Sequence, residues 1–125
     1  VKAVLDAGAL VAVEKRDRQV AAMLRVLQQR RVPVWTSAAV VAQVWRDGTK
    51  QALLARVLAG VGVRGLTAFD DRNTGELLGS ARTQDVVDAH VALCVADGDR
   101  VLTSDPDDLE HLLEVRAVRA TVVRV

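Results

Sequence analysis

Four aspartates have the types and spacing to do chemistry together. Asp6 closes the apolar run VKAVLD, Asp105 closes RVLTSD, and Asp85 and Asp88 open the apolar segment DVVDAHVALCV. On a helix, residues three apart lie on one side, so Asp85 and Asp88 share a face. If the runs ending at Asp6 and Asp105 are neighbouring strands, as many as four carboxylates converge on one small volume. Anions held that close raise each other's pKa, and a divalent cation resolves the conflict. Hard oxygen ligands with no His or Cys beside them favour magnesium or manganese over zinc, with water filling the other positions. Such carboxylate-bound ions commonly serve phosphate chemistry.

Each acid has a competing explanation. Asp between a strand and a helix is a preferred N-cap, worth about 1 kcal/mol and without catalytic content. That account suits Asp85 best. Asp88 is different, because it stands among Val86, Val87, Ala89, Val91, Ala92 and Leu93, and a buried charge is costly without a partner.

The elements that must position these acids follow from apolar spacing and caps. A strand over 3–5 ends at Asp6 and turns into a helix from Ala7. Val20, Met23, Leu24 and Leu27 give a helix over 18–29. A strand over 32–35 precedes a helix over 38–46 that Ser37 caps and that is apolar nearly all round, hence expected to be buried. Thr49 is expected to cap a helix over 50–59, a short strand follows among Gly60, Gly62 and Gly65, and Asp70 is expected to cap a helix over 71–81. Asp85 caps a helix over 86–97, 100–103 is a strand, and Asp105-Pro106 reads as a cap followed by proline at the first helical position. That helix ends near Val115, and 120–125 is a final edge strand.

Strands alternating with helices on short links predict a three-layer α/β/α domain with a mostly parallel central sheet. Binding sites in such sheets form outside the carboxyl ends of the strands, where the strand order reverses. The chain has 125 residues, of which 50% are hydrophobic and 26% charged, so residues 1–125 read as one domain with a real core. Seventeen Lys plus Arg against 16 Asp plus Glu leave a net charge of +1, so bulk electrostatics do not point to nucleic acid, and any basic surface is local. Cys94 is alone and makes no internal disulfide, and the longest apolar stretches fall short of the roughly 18 residues a membrane span needs. A cytoplasmic protein without a membrane segment is expected. The opening VKAVLDAGALVAV has the apolar look of a signal sequence, but Asp6 interrupts it, and strand plus helix is the better reading.

Other chemistries find little support. A receiver domain needs a lysine at a late strand end, and the lysines are Lys2, Lys15 and Lys50. A haloacid-dehalogenase phosphatase needs a second Asp two residues after the first, where Gly8 stands. His90 and His111 have no partners at zinc spacing; His90 reads as a helix-packing residue and Cys94 as a small hydrophobe. Neither GxSxG nor a Walker lysine loop is present. Trp35 and Trp45 are expected in core or interface.

Four segments in order, VLDAGAL, TSAAVVAQVWR, DVVDAHVA and LTSDPDDL, make the chain resemble PIN-domain proteins along essentially its whole length, most of all the VapC-type toxin ribonucleases of bacterial toxin-antitoxin pairs. The resemblance implies a metal-dependent endonuclease acting on single-stranded RNA, with Mg2+ or Mn2+ as cofactor, a small antitoxin protein as partner and often a homodimer. Asp6, Asp88 and Asp105 match the family's first, third and fourth acids, and so stand as both catalytic and metal-binding residues. Thr103 corresponds to the hydroxyl residue before the fourth acid, and Asp108 to a further acid after it. Gln43 departs from the pattern, since it stands where the second acid is usually Glu. A neutral amide weakens the hold on a dication unless Asp85 or Asp108 compensates. Gln43 is alternatively a hydrogen-bonded residue in a buried helix, and the chain alternatively a PIN-like RNA- or partner-binding domain with little or no catalysis. Arg46 and Lys50, with Arg56, follow the Gln43 helix and are expected to offer RNA its positive charge, the competing reading being an ordinary solvated face.

Overall fold

The computed structural model describes Val1–Val125. Five strands, β1 (Ala3–Leu5), β2 (Val34–Ser37), β3 (Gly62–Arg64), β4 (Arg100–Thr103) and β5 (Thr121–Arg124), form one sheet in the order β3-β2-β1-β4-β5. All four pairings are parallel. Seven helices pack around it: α1 (Ala7–Glu14), α2 (Arg18–Gln29), α3 (Ala38–Val44), α4 (Ala52–Leu58), α5 (Asp71–Ala81), α6 (Val86–Leu93) and α7 (Pro106–Val115). The three-layer α/β/α class expected from the sequence is what the chain adopts.

The strand order reverses at β1. The chain moves outward through β2 and β3 on one side, then returns to lay β4 and β5 on the other. Parallel strands need helical crossovers, so the loops after β1 and β4 diverge and leave a crevice at their carboxyl ends. Leu5 is paired with Leu102, and the Asp6 N–H donates to the Leu102 carbonyl at 2.9 Å. Residues 97 apart in sequence are thereby made neighbours. At the opposite edge Asp99 accepts from both the backbone N–H and the Nζ of Lys2, at 3.0 and 2.6 Å, which ties the starts of β1 and β4 together.

Several local expectations shift. The second strand begins at Val34, because Pro33 has no N–H to give a ladder and contributes only its carbonyl to Ala3. Helix α3 stops at Val44 and is not buried all round. It packs against α1, α6 and β2, burying Val40 and Val44, while Ala42 and Gln43 on the other side are exposed. Thr49 does not cap α4; its N–H and hydroxyl both donate to Asp47 Oδ1 in the preceding turn. Asp70 stands at the start of α5 without a capping bond, its carboxylate being engaged elsewhere. Helix α6 ends at Leu93, where Arg64 and Arg116 donate to the carbonyls of Leu93, Ala92 and Val95. Trp35 and Trp45 are both more than a third exposed and so lie at the periphery of the core.

The core runs through Val4, Leu5, Leu10, Val40, Leu54, Val101, Leu102, Leu109 and Leu112. Its buried side-chain polar atoms all have hydrogen-bond partners. No helix is long and apolar enough to cross a membrane.

Candidate metal centre

Three elements deliver the acids to one place. Asp6 is the N-cap of α1, Asp88 lies in the first turn of α6, and Asp105 is the N-cap of α7. Helices antiparallel to the strands begin at the carboxyl edge of the sheet, so three helix N-termini meet there, and their partial positive charge favours anions. One carboxylate oxygen each from Asp6, Asp88 and Asp105 falls within a span of 4.8 Å.

Capping does not use these acids up. Asp6 accepts from the Ala7 N–H with Oδ1 at 2.7 Å, while Oδ2 accepts from the Thr103 hydroxyl at 2.8 Å. The same hydroxyl accepts from the Asp105 N–H at 2.9 Å, so Thr103 ties the first acid to the backbone of the last. Asp105 itself makes no side-chain capping bond. Asp85 is the true cap: its Oδ1 accepts from the Asp88 N–H at 2.9 Å. Its position also adds a fourth carboxylate to the cleft wall.

Burial and mutual repulsion decide the electrostatics. Asp88, 8% exposed, has its carboxyl raised to about 7, first by burial and then by the charges of Asp6, Asp85, Asp105 and Asp108. Burial also raises Asp6, against the lowering effect of the Thr103 and Ala7 hydrogen bonds and with further upward pressure from Asp105 and Asp85. Burial and neighbouring charge thus oppose ionisation of Asp6 and Asp88, and a dication would favour it. The donors are all hard oxygens, a set that could hold a hard dication such as magnesium or manganese.

Gly8 permits the close approach. A Cβ there would lie 2.3 Å from Ser104 Oγ and 2.9 Å from Ser104 N, so the first turn of α1 rests directly on the loop between Thr103 and Asp105. The cleft beside it measures about 520 Å3 and opens between Asp6, Gly8, Gln43, Asp85, Asp88 and Asp105. Gln43 therefore reaches the site rather than a buried helix interface. Thr103 lies behind the cleft, fully buried, and Asp108 is outside its wall although its charge is felt at Asp88. Neither Arg46 nor Lys50 lines it. Arg46 folds its guanidinium back on the carbonyls of Ala42 and Trp45, at 3.1 and 2.6 Å.

The cation in the cleft wall is Lys15, which reading from strand ends missed. The signal was present: Gly8, Val11, Ala12 and Lys15 stand at i, i+3, i+4 and i+7, one continuous helical face, and all four line the cleft. Asp17, also in the wall, caps α2 through the Val20 N–H at 3.0 Å.

Fold and site together define a parallel α/β domain with a cluster of three carboxylates in a cleft at its topological switch point. No protein-family model matches the chain, and no curated protein matches it either.

Proposed function

We propose that the chain is a metal-dependent endoribonuclease, the toxin of a toxin-antitoxin pair, hydrolysing phosphodiester bonds of single-stranded RNA. The observation that carries this reading is the Asp6, Asp88 and Asp105 cluster, with its oxygens within 4.8 Å of one another. Asp6, Asp88 and Asp105 would hold magnesium or manganese, with Gln43 and Asp85 beside them. A bound ion of this kind supplies positive charge against the phosphate and a more acidic water.

The chain's own residues do the rest. Thr103 orients Asp6 by donating to Oδ2 and favours its ionised form against the effect of burial. Asp85 orients the first turn of α6 through its bond to the Asp88 N–H. Lys15 offers a point charge to a substrate phosphate from the α1 face of the cleft. The narrow approach set by Gly8 and Ser104 keeps Asp6 and Asp105 on one centre.

A small antitoxin fits the same chemistry, since an Arg pairs bidentately with neighbouring carboxylates and would block the cleft. The exposed Val11 on α1 offers its chain an apolar contact. A homodimer and a cytoplasmic setting belong to the same reading. The test uses metal-stripped protein and mixed single-stranded RNA. Cleavage should need added magnesium or manganese and be absent from Asp6→Asn prepared in parallel. Full activity of that variant would remove the assignment. Absence of cleavage with retained RNA or partner binding would favour a binding domain that the neutral Gln43 has left without catalysis.

A further inference from the structure

Behind the cleft lies a buried polar chain that the proposed chemistry does not touch. His90, fully buried on α6, meets Ser37 Oγ through Nδ1 at 2.5 Å and Asp70 Oδ2 through Nε2 at 2.9 Å. Arg64, at the end of β3, grips both oxygens of Asp70 at 2.7 Å and sends Nη1 to the Leu93 carbonyl at 2.9 Å. The Arg64 guanidinium beside Asp70 holds its carboxyl down at about 2, so Asp70 only accepts and Nε2 donates to it. Nδ1 then accepts from the Ser37 hydroxyl, whose oxygen accepts from the Ala39 N–H at 3.0 Å. The order Ser-His-Asp is that of a hydrolytic triad, but Ser37 is fully buried and its oxygen caps α3, so no substrate reaches it.

What the chain does is fix a helix. Apart from His90, the directional bonds on α6 sit at its two ends, the Asp85 cap on its first turn and the Arg64 and Arg116 bonds to its last carbonyls, while Ala89, Val91 and Ala92 along its length pack through apolar contacts that have no preferred direction. Hydrogen bonds do have direction. Asp88 and His90 are two residues apart, about 200° around the helix axis, so holding His90 on the sheet side presents Asp88 to the cleft. We infer that Ser37, His90, Asp70 and Arg64 form a positioning network that sets the rotation of α6 and thereby brings the Asp88 carboxylate to Asp6 and Asp105. The inference rests on the metal-site reading and extends it to four residues outside the cleft. It also explains why one helix is bonded to the ends of β2 and β3 and to the start of α5 at once.

Manganese affinity by calorimetry, beside melting temperature, tests it on the folded protein without added RNA. His90→Phe should weaken manganese binding by about tenfold or more, the usual cost of losing a group that orients a ligand. His90→Gln, which can still donate to Asp70 and accept from Ser37, should recover most of that loss. Val91→Ala, a cavity in the same helix that leaves the network intact, should lower the melting temperature while keeping wild-type affinity. If His90→Phe does not fold, Asp70→Asn serves in its place, with a smaller loss expected because the shape is kept and the charge removed. Wild-type affinity in both the His90 and Asp70 variants, or equal losses in Val91→Ala, would overturn the positioning role alone. A wild-type protein that takes up no manganese would instead overturn the metal reading and this inference with it.

Discussion

Replacing Asp88 by Asn tests the electrostatics of the cluster directly. In the folded chain the Asp88 carboxyl is raised from 3.8 to about 7. Below pH 3.8 it is neutral whether the chain is folded or not. Between about pH 4 and 7 the unfolded chain has released the proton and the folded chain retains it, so stability falls as pH rises through that interval and levels off above it. Each unit is worth about 1.4 kcal/mol, which makes the full shift a ceiling of about 4 kcal/mol. The cleft is open to ions and its carboxylates can turn apart, so about 2 kcal/mol is expected at pH 8. Asn keeps the shape and removes the charge. Metal-free Asp88→Asn should match the wild type near pH 4 and melt higher at pH 8, by about 3 to 5 °C for each kcal/mol in a chain of this length. Manganese at pH 8 should reverse the order, since a ligand stabilises the form that binds it. Thermal melts at half-unit pH steps, with chelator and with manganese, read all of this. A constant gap between the two proteins from pH 4 to 8, or a variant less stable at pH 8 without metal, would refute the reasoning.

Thr103→Val removes the hydroxyl that donates to Asp6 and accepts from the Asp105 N–H. It should cost about 1 to 3 kcal/mol and, by raising the Asp6 carboxyl further, move the manganese-binding curve to higher pH, as calorimetry across pH would show. Gln43→Glu adds an anionic oxygen at an exposed position in the cleft wall. Manganese affinity should rise at low metal and the melting temperature change little; unchanged affinity would remove residue 43 from the shell. Gly8→Ala should cost about 1 to 3 kcal/mol by overpacking against Ser104 and weaken manganese binding. Its control is Gly79→Ala on α5, where a Cβ meets nothing within 4 Å and should stabilise by about 0.5 to 1 kcal/mol. Equal melting shifts in the two variants would contradict the close approach at Gly8.

The local signals in the chain were sufficient for its elements and for the types of its acids. Val20, Met23, Leu24 and Leu27 mark α2 by spacing alone, and the apolar runs before Asp6 and Asp105 mark β1 and β4, because helix and strand periods are written within a few residues of sequence. Asp88 was legible as a charge inside an apolar helix. Which strands are neighbours is set by burial across the whole sheet, and only the fold put Thr103 on Asp6 at 97 residues' distance. Tertiary contacts also decided the fate of residues that look alike locally. Asp70 and Asp85 both precede helices, yet Asp85 caps its helix while Asp70 turns to Arg64 and His90, because a guanidinium compensates a buried carboxylate better than a backbone N–H. Packing against α1 and α6 left the Gln43 side of α3 open to the cleft, although its composition reads as buried. Arg46 and Lys15 are equally basic in sequence, but the first folds back onto the carbonyls at the end of α3 and the second lines the acidic cleft. Charge is a property of the residue, whereas the direction in which it points belongs to the packed chain.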